Sequence, residues 1–305
     1  GGQDCSEGCG DARQEDGLQE ARGGPVTNYA FYPGCLISTR LPFLEKASRL
    51  VLGELDVGLE DMKGHSCCAD PIILKPLSFD SWLAVAARNI AIAEDAEMDL
   101  LTLCNGCFCS LNEANHILKK DGKKKEEVNE ILKEVDREFK GTIEVLHVVQ
   151  LIREIGQESI SEKMEKPADS MKVGAHHGCH LIRPREAAQI DDKRRPTILD
   201  ELVSWIGAEP VDYAEDLLCC GGGLMGVDEK TGTSMLTSIL DKMRSAGASH
   251  IVTPCPYCFV QFDYRQKENP LPVLYLMELY GLSMGFSPEE MGLKHHRTKS
   301  EDWGF

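Results

Sequence analysis

Leu100-Leu-Thr-Leu-Cys104-Asn-Gly-Cys107 and Ile251-Val-Thr-Pro-Cys255-Pro-Tyr-Cys258 share one pattern. Each is a short apolar run that delivers a Cys-x-x-Cys pair at its C-terminal end, as a buried strand leading into a turn would. Upstream, 35 residues separate Cys104 from the adjacent pair Cys67–Cys68, and 31 more separate that pair from Cys35. In the second copy, 34 residues separate Cys255 from Cys219–Cys220, and 39 separate that pair from Cys179. The flanks agree: Asn28-Tyr-Ala-Phe-Tyr-Pro-Gly-Cys35 matches Lys172-Val-Gly-Ala-His-His-Gly-Cys179, and Val145-Leu-His-Val-Val-Gln-Leu151 matches Val273-Leu-Tyr-Leu-Met-Glu-Leu279. The chain is a duplication with a period of about 144 residues, which is domain-sized and rules out a solenoid.

Amphipathic helical patterns lie between the strand-like runs, over Trp82–Glu94 and over Ser234–Met243. Strand, helix and strand in succession predict parallel βαβ units, so the expected fold is α/β, two duplicated domains with one cysteine site in each. In open α/β sheets a ligand sits beyond the carboxyl ends of the strands, which is where the cysteines fall. The expected boundaries are an acidic flexible tail over 1–27, domains over 28–160 and 171–305, and a linker over 161–170. The tail carries six acidic residues against two arginines, and the charged run Lys119–Glu134 reads as an exposed helical insertion.

The 305 residues carry a formal charge of −17 with a pI near 5.0. That balance argues against a general nucleic-acid binder, which would show a basic footprint. Apolar runs stay well short of the roughly 18 residues a membrane span needs. The polar, acidic start has no leader pattern, so the expectation is a cytoplasmic protein. Thirteen cysteines in such a chain then point to metal or redox chemistry.

Structural zinc takes four ligands, normally from two Cys-x-x-Cys pairs. Here each set has one such pair, a vicinal pair and a distant single cysteine. Vicinal cysteines in extended chain face opposite ways, which suits several metal atoms better than one. Iron–sulfur clusters are therefore favoured, with zinc and reversible disulfides as the alternatives.

Cys-x31-Cys-Cys-x35-Cys-x2-Cys and Cys-x39-Cys-Cys-x34-Cys-x2-Cys resemble the paired cysteine-rich (CCG) domains of the heterodisulfide reductase B subunit. The resemblance runs from about Tyr29 to Leu282. It includes Leu103-Cys-Asn-Gly-Cys-Phe108, Glu113-Ala-Asn-His116, Val211-Asp-Tyr213, Cys219-Cys-Gly-Gly-Gly223 and Cys258-Phe-Val-Gln-Phe-Asp263. It implies two non-cubane [4Fe–4S] clusters that form the catalytic sites and cleave the coenzyme M–coenzyme B disulfide of methanogenesis. The implied ligands are Cys35, Cys67, Cys68, Cys104 and Cys107 for one, and Cys179, Cys219, Cys220, Cys255 and Cys258 for the other. One departure is Ala69-Asp70 after the first vicinal pair, where the second copy has glycine.

The sequence has neither a ferredoxin cysteine run nor a strand–GxGxxG–helix fingerprint, and Gly221-Gly-Gly223 reads as a turn near the cluster. The resemblance supplies electrons through two further members of the same complex, one ferredoxin-like and one a flavoprotein, with a hydrogenase or formate dehydrogenase further upstream. A second reading makes the chain an electron-transfer subunit of another sulfur or organic-acid oxidoreductase; a third makes it a zinc-stapled scaffold.

A substrate bearing sulfonate and phosphate calls for cations. Arg40 and Arg183, five and four residues after Cys35 and Cys179, are the candidates for substrate binding. Lys193-Arg-Arg195 is a further basic run. His65, His177 and His180 flank cluster cysteines and are candidate proton carriers. Cys109, matched by Val260 in the second copy, reads as a small buried residue. Cys5 and Cys9 stand in the tail.

Overall fold

The computed structural model describes residues 27–192, 194–213, 217–300 and 303. Two parallel sheets of four strands stand side by side with helices on their faces. The first half runs β1 (Asn28–Tyr32), α1 (Cys35–Arg40), α2 (Pro42–Glu54), β2 (Gly58–Asp61), α3 (Leu74–Leu77), α4 (Phe79–Asp95), β3 (Leu100–Thr102), α5 (Asn105–Lys120), α6 (Gly122–Leu132), β4 (Val145–His147) and α7 (Val148–Ile155). After α8 (Gln157–Glu162), the second half runs β5 (Lys172–Ala175), α9 (Arg185–Ala188), α10 (Ile198–Trp205), β6 (Glu209–Pro210), α11 (Glu229–Ser245), β7 (His250–Thr253), α12 (Pro256–Arg265), β8 (Val273–Tyr275) and α13 (Leu276–Ser283).

The strand orders are β2-β1-β3-β4 and β6-β5-β7-β8, the same topology twice. The order reverses between β1 and β3, and again between β5 and β7. That switch point opens a crevice beyond the carboxyl ends of the two strands. Cys35 and Cys104 leave β1 and β3 at one crevice; Cys179 and Cys255 leave β5 and β7 at the other.

The inner strands are short, apolar and buried, with Phe31, Leu100, Leu101, Ile251 and Val252 at 0–1 % exposure, as two-sided coverage by helices requires. The edge strands β2 and β6 were not legible as apolar runs, because they are short and polar, as sheet edges commonly are. The amphipathic stretch Trp82–Glu94 belongs to α4, which is buried nearly all round and packs against α3, α5 and α6. The run Lys119–Glu134 forms the end of α5 and α6, and α6 still buries Val128 and Leu132. Behind it, the buried Glu94 carboxylate accepts from the N–H groups of Lys140, Gly141 and Thr142, at 2.5–2.8 Å. That arrangement fixes the loop returning to β4.

The halves exchange helices. α13 of the second packs on α2 of the first, and α7 of the first packs on α10 of the second. A Cβ at Gly281 of α13 would lie 3.2 Å from Val51 Cγ2 of α2. Phe43 of α2 stacks on His295 and meets Phe259 edge-on. The expected linker also docks: the Glu165 and Lys166 N–H groups donate to Ser283 O, and that of Ala168 donates to Ile206 O. Among the described residues, no helix is long and apolar enough to cross a membrane. The acidic segment 1–26, with Cys5 and Cys9, lies outside the described residues.

Candidate metal centres

Each crevice gathers five thiols, and they touch in the same order. Cys35 lies within hydrogen-bond reach of Cys67, Cys67 of Cys68, Cys68 of Cys107, and Cys107 of Cys104. The second set repeats this as Cys179, Cys219, Cys220, Cys258 and Cys255, with Cys258 Sγ 3.3 Å from Cys220 Sγ. Both vicinal sulfurs therefore serve the same crevice, although Cys67 is exposed and Cys68 buried.

Local chain geometry explains the convergence. Cys104 and Cys255 each precede the first turn of a helix, α5 and α12. The Cys107 thiol, and after it the N–H groups of Cys107 and Gly106, bond to the Cys104 sulfur and favour its thiolate. Gly34 and Gly178 enter with φ of 87° and 76°, and a Cβ on either would crowd the Cys-x-x-Cys pair, 2.9 Å from Cys107 Sγ and 3.3 Å from Cys258 Sγ. The backbone thus forms a cradle that a side chain would fill.

The vicinal pairs are held by polar groups from the following helix. Ser110, three residues after Cys107, places its hydroxyl 2.8 Å from Cys68 O while accepting from Trp82 Nε1. Gln261, three residues after Cys258, donates to Cys220 O at 3.1 Å. Asn89 donates to Cys67 O at 3.0 Å and accepts from Ser66 N. None of the three was singled out from sequence. The available signal was a polar residue at the same register after each Cys-x-x-Cys.

Ala69 takes the left-handed conformation of Gly221, with φ of 65° against 79°. The turn after the vicinal pair is therefore kept without glycine, and Asp70 closes it by accepting from the Ile72 and Ile73 N–H groups. Ala69→Gly is expected to change stability by less than about 1 kcal/mol, since relief of the left-handed strain is offset by a freer unfolded chain. Gly221→Ala drives a Cβ into Gly232 O and is expected to cost about 2 kcal/mol or more. Urea midpoints of the two variants check both expectations.

The thiols cannot all ionise by themselves. Cys67 and Cys219 are pulled down to about 2, because Cys35 and Cys68 donate to the first while Cys179 and Cys220 donate to the second. Cys35 and Cys179, as donors, are pushed up. Only positive charge brought into the crevice would make five thiolates compatible in so small a volume. Among the described residues, no three His, Cys, Asp or Glu side chains are arranged for a single metal ion. Five adjoining sulfurs in a backbone cradle fit a multi-iron cluster by donor chemistry and number.

The two crevices adjoin. Asp70, Pro71, Ile72 and Gly106 of the first half help line the cavity of the second set. Beside it opens a cleft of ≈ 270 Å³ that reaches Cys179 and His180 and is lined by Lys75, Cys109, Glu113 and Arg183. Arg183 is exposed at its rim, whereas Arg40, also exposed, ends α1 and lines neither cavity. The repeat-related arginines are therefore not equivalent. Lys75 pairs with Glu113 at 2.5 Å.

Of the three histidines, His180 faces the cleft, and burial lowers its pKa. His65 is exposed and bonded to Met62 O. His177 is buried, its pKa lowered to about 4 by desolvation, with Nε2 accepting from Leu199 N. Arg194 and Arg195 lie on an exposed loop where Arg195 pairs with Asp212, and Lys193 lies outside the described residues. Cys109 is buried, as expected, and burial pushes its thiol up to about 12.

A family model described as "Cysteine-rich domain" matches residues 29–112 and 173–263. The B subunit of the ferredoxin:CoB-CoM heterodisulfide reductase of Methanosarcina mazei is 39 % identical over 286 residues, covering 90 % of this chain and 95 % of the relative. The 8-methylmenaquinol:fumarate reductase membrane anchor subunit of Wolinella succinogenes is 30 % identical, covering 88 % of this chain and 96 % of that protein. A hypothetical protein from Helicobacter pylori shares the fold, with a TM-score of 0.73 at 17 % identity over 91 % of this chain and 53 % of its own.

Proposed function

The chain belongs to the paired cysteine-rich-domain family of heterodisulfide reductase B subunits, and from that membership we propose that it is the iron–sulfur catalytic subunit of a heterodisulfide reductase. The observation that carries this reading is the pair of equivalent five-thiol crevices meeting at one domain boundary beside an open cleft. The reaction is R–S–S–R′ + 2 e⁻ + 2 H⁺ → R–SH + R′–SH, with the coenzyme M–coenzyme B disulfide as substrate. When bound, a non-cubane [4Fe–4S] cluster in each crevice supplies one-electron exchange and a site for a leaving sulfur.

The chain's own residues do the rest. The ten cysteines named above hold the clusters. The cleft brings a disulfide to Cys179, Arg183 faces the anionic arm, and Pro71 and Pro184 form dry walls. Electrons arrive from a ferredoxin-like protein and a flavoprotein of the same complex, in the cytoplasm.

Anaerobic purification is expected to give about eight iron and eight acid-labile sulfide per chain, and a low-potential dye to drive disulfide cleavage. Zinc without sulfide would overturn the cluster assignment. The fumarate reductase relative favours a second reading, an electron-transfer subunit of an organic-acid oxidoreductase. A loaded chain that exchanges electrons with the dye but cleaves no disulfide would select it.

A further inference from the structure

We infer that Asn105 and Tyr275 set the electronic coupling between the two metal centres, an inference that rests on the iron–sulfur reading above. Asn105 lies between Cys104 and Cys107 and is fully buried. Its Nδ2 crosses the domain boundary and donates to His177 O at 2.7 Å, two residues before Cys179. Tyr275, fully buried at the end of β8, donates its hydroxyl across the same boundary to Leu103 O, immediately before Cys104. One tie starts inside the first set and ends beside the second. The other starts in the second half and ends at the residue next to the first set. Tyr275 pairs in register with Thr253, two residues before Cys255, so each contact makes a short bonded route from one crevice to the other.

The surrounding backbone is shaped for these contacts. A Cβ at Gly178 would lie 2.6 Å from Asn105 Nδ2, so the approach requires glycine there. A Cβ at Gly106 would lie 3.9 Å from His180 Nδ1, which puts the first Cys-x-x-Cys turn directly against the second set's loop. Duplication does not produce the ties by itself. The counterpart of Asn105 is Pro256, which lacks a side-chain donor, and the counterpart of Tyr275 is His147, whose Nδ1 accepts from Val149 N within its own half. Each tie is made by one copy only. Asn105 Oδ1, the other end of the same amide, is buried with no partner among the described groups.

With a cluster in each crevice, Asn105 and Tyr275 would give an electron delivered to one centre a route to the other; one centre would be oxidised and the other reduced, with no change of proton or bond. A two-electron disulfide cleavage whose electrons both enter at one centre would use that exchange.

The test is electron paramagnetic resonance of the iron- and sulfide-loaded chain, reduced by one electron at each centre. The wild type is expected to show a spectrum split by interaction between the centres. Asn105→Ala and Tyr275→Phe, at wild-type iron and sulfide content, are each expected to reduce the exchange part of the splitting, and the double variant to lose that part while the through-space dipolar part stays. Two independent signals in the wild type, or undiminished splitting in the double variant, would overturn the inference and leave the cluster reading intact. A wild-type chain without iron would overturn both.

Discussion

Cys220→Ala is expected to lower the metal content from about eight iron atoms per chain to about four, emptying the second centre and leaving the first. Cys220 is buried in the middle of its thiol chain, between Cys219 and Cys258, and Gln261 fixes its carbonyl. Alanine retains the backbone and therefore that hydrogen bond, so the turn through Gly221 persists while one of the proposed ligands is lost. The first centre draws its five sulfurs from its own half. Iron and sulfide analysis with circular dichroism reads the outcome. Loss of both centres with the fold intact would show that the crevices fill as one unit. Cys109→Ala, outside the thiol chain, is expected to leave the iron count unchanged.

The duplication made the fold legible. Once Cys104 and Cys255 were seen to follow matching apolar runs, β1, β3, β4 and their partners followed from the flanks, and the parallel sheet from the helices between them. Sequence spacing also found the ten cysteines that converge. It did not find what holds them. Ser110, Gln261 and Asn89 act on main-chain carbonyls far away in sequence, and a polar residue on a helix gives no sign of which carbonyl it will meet. Nor could the repeat separate Arg40 from Arg183. Their positions relative to cysteine are alike; what differs is that Lys75 and Glu113 of the first half come to stand beside Arg183. That difference arises only when the halves dock.

Arg183→Ala is expected to raise KM roughly 10-fold for a disulfide with anionic arms, the lower end of a charge-assisted hydrogen bond near 1.5 kcal/mol, because the guanidinium is solvent-exposed. An uncharged disulfide should lose far less. The overall charge of −17 repels an anion at a distance, so a local cation is needed at the entrance. Arg183 is a candidate for that role because it stands at the rim of the cleft, whereas Lys75 is already neutralised by Glu113. Arg40→Ala should change neither KM. Equal losses for charged and neutral disulfides would assign Arg183 to support of the loop after Cys179.

The exchange of α13 onto α2 and of α7 onto α10 has a mechanical consequence. A clamshell opening of the two halves would have to peel both helix pairs apart at once, uncovering Phe43, Val51 and Leu202, which are 0–8 % exposed. At roughly 1.5–3 kcal/mol for each large apolar side chain wetted, the three together oppose such a motion by about 5–9 kcal/mol, so the docked arrangement dominates. Access to Cys179 then runs through the standing cleft rather than through a parting of the halves, so the girth of a solute, and not only its charge, bears on whether it reaches that sulfur.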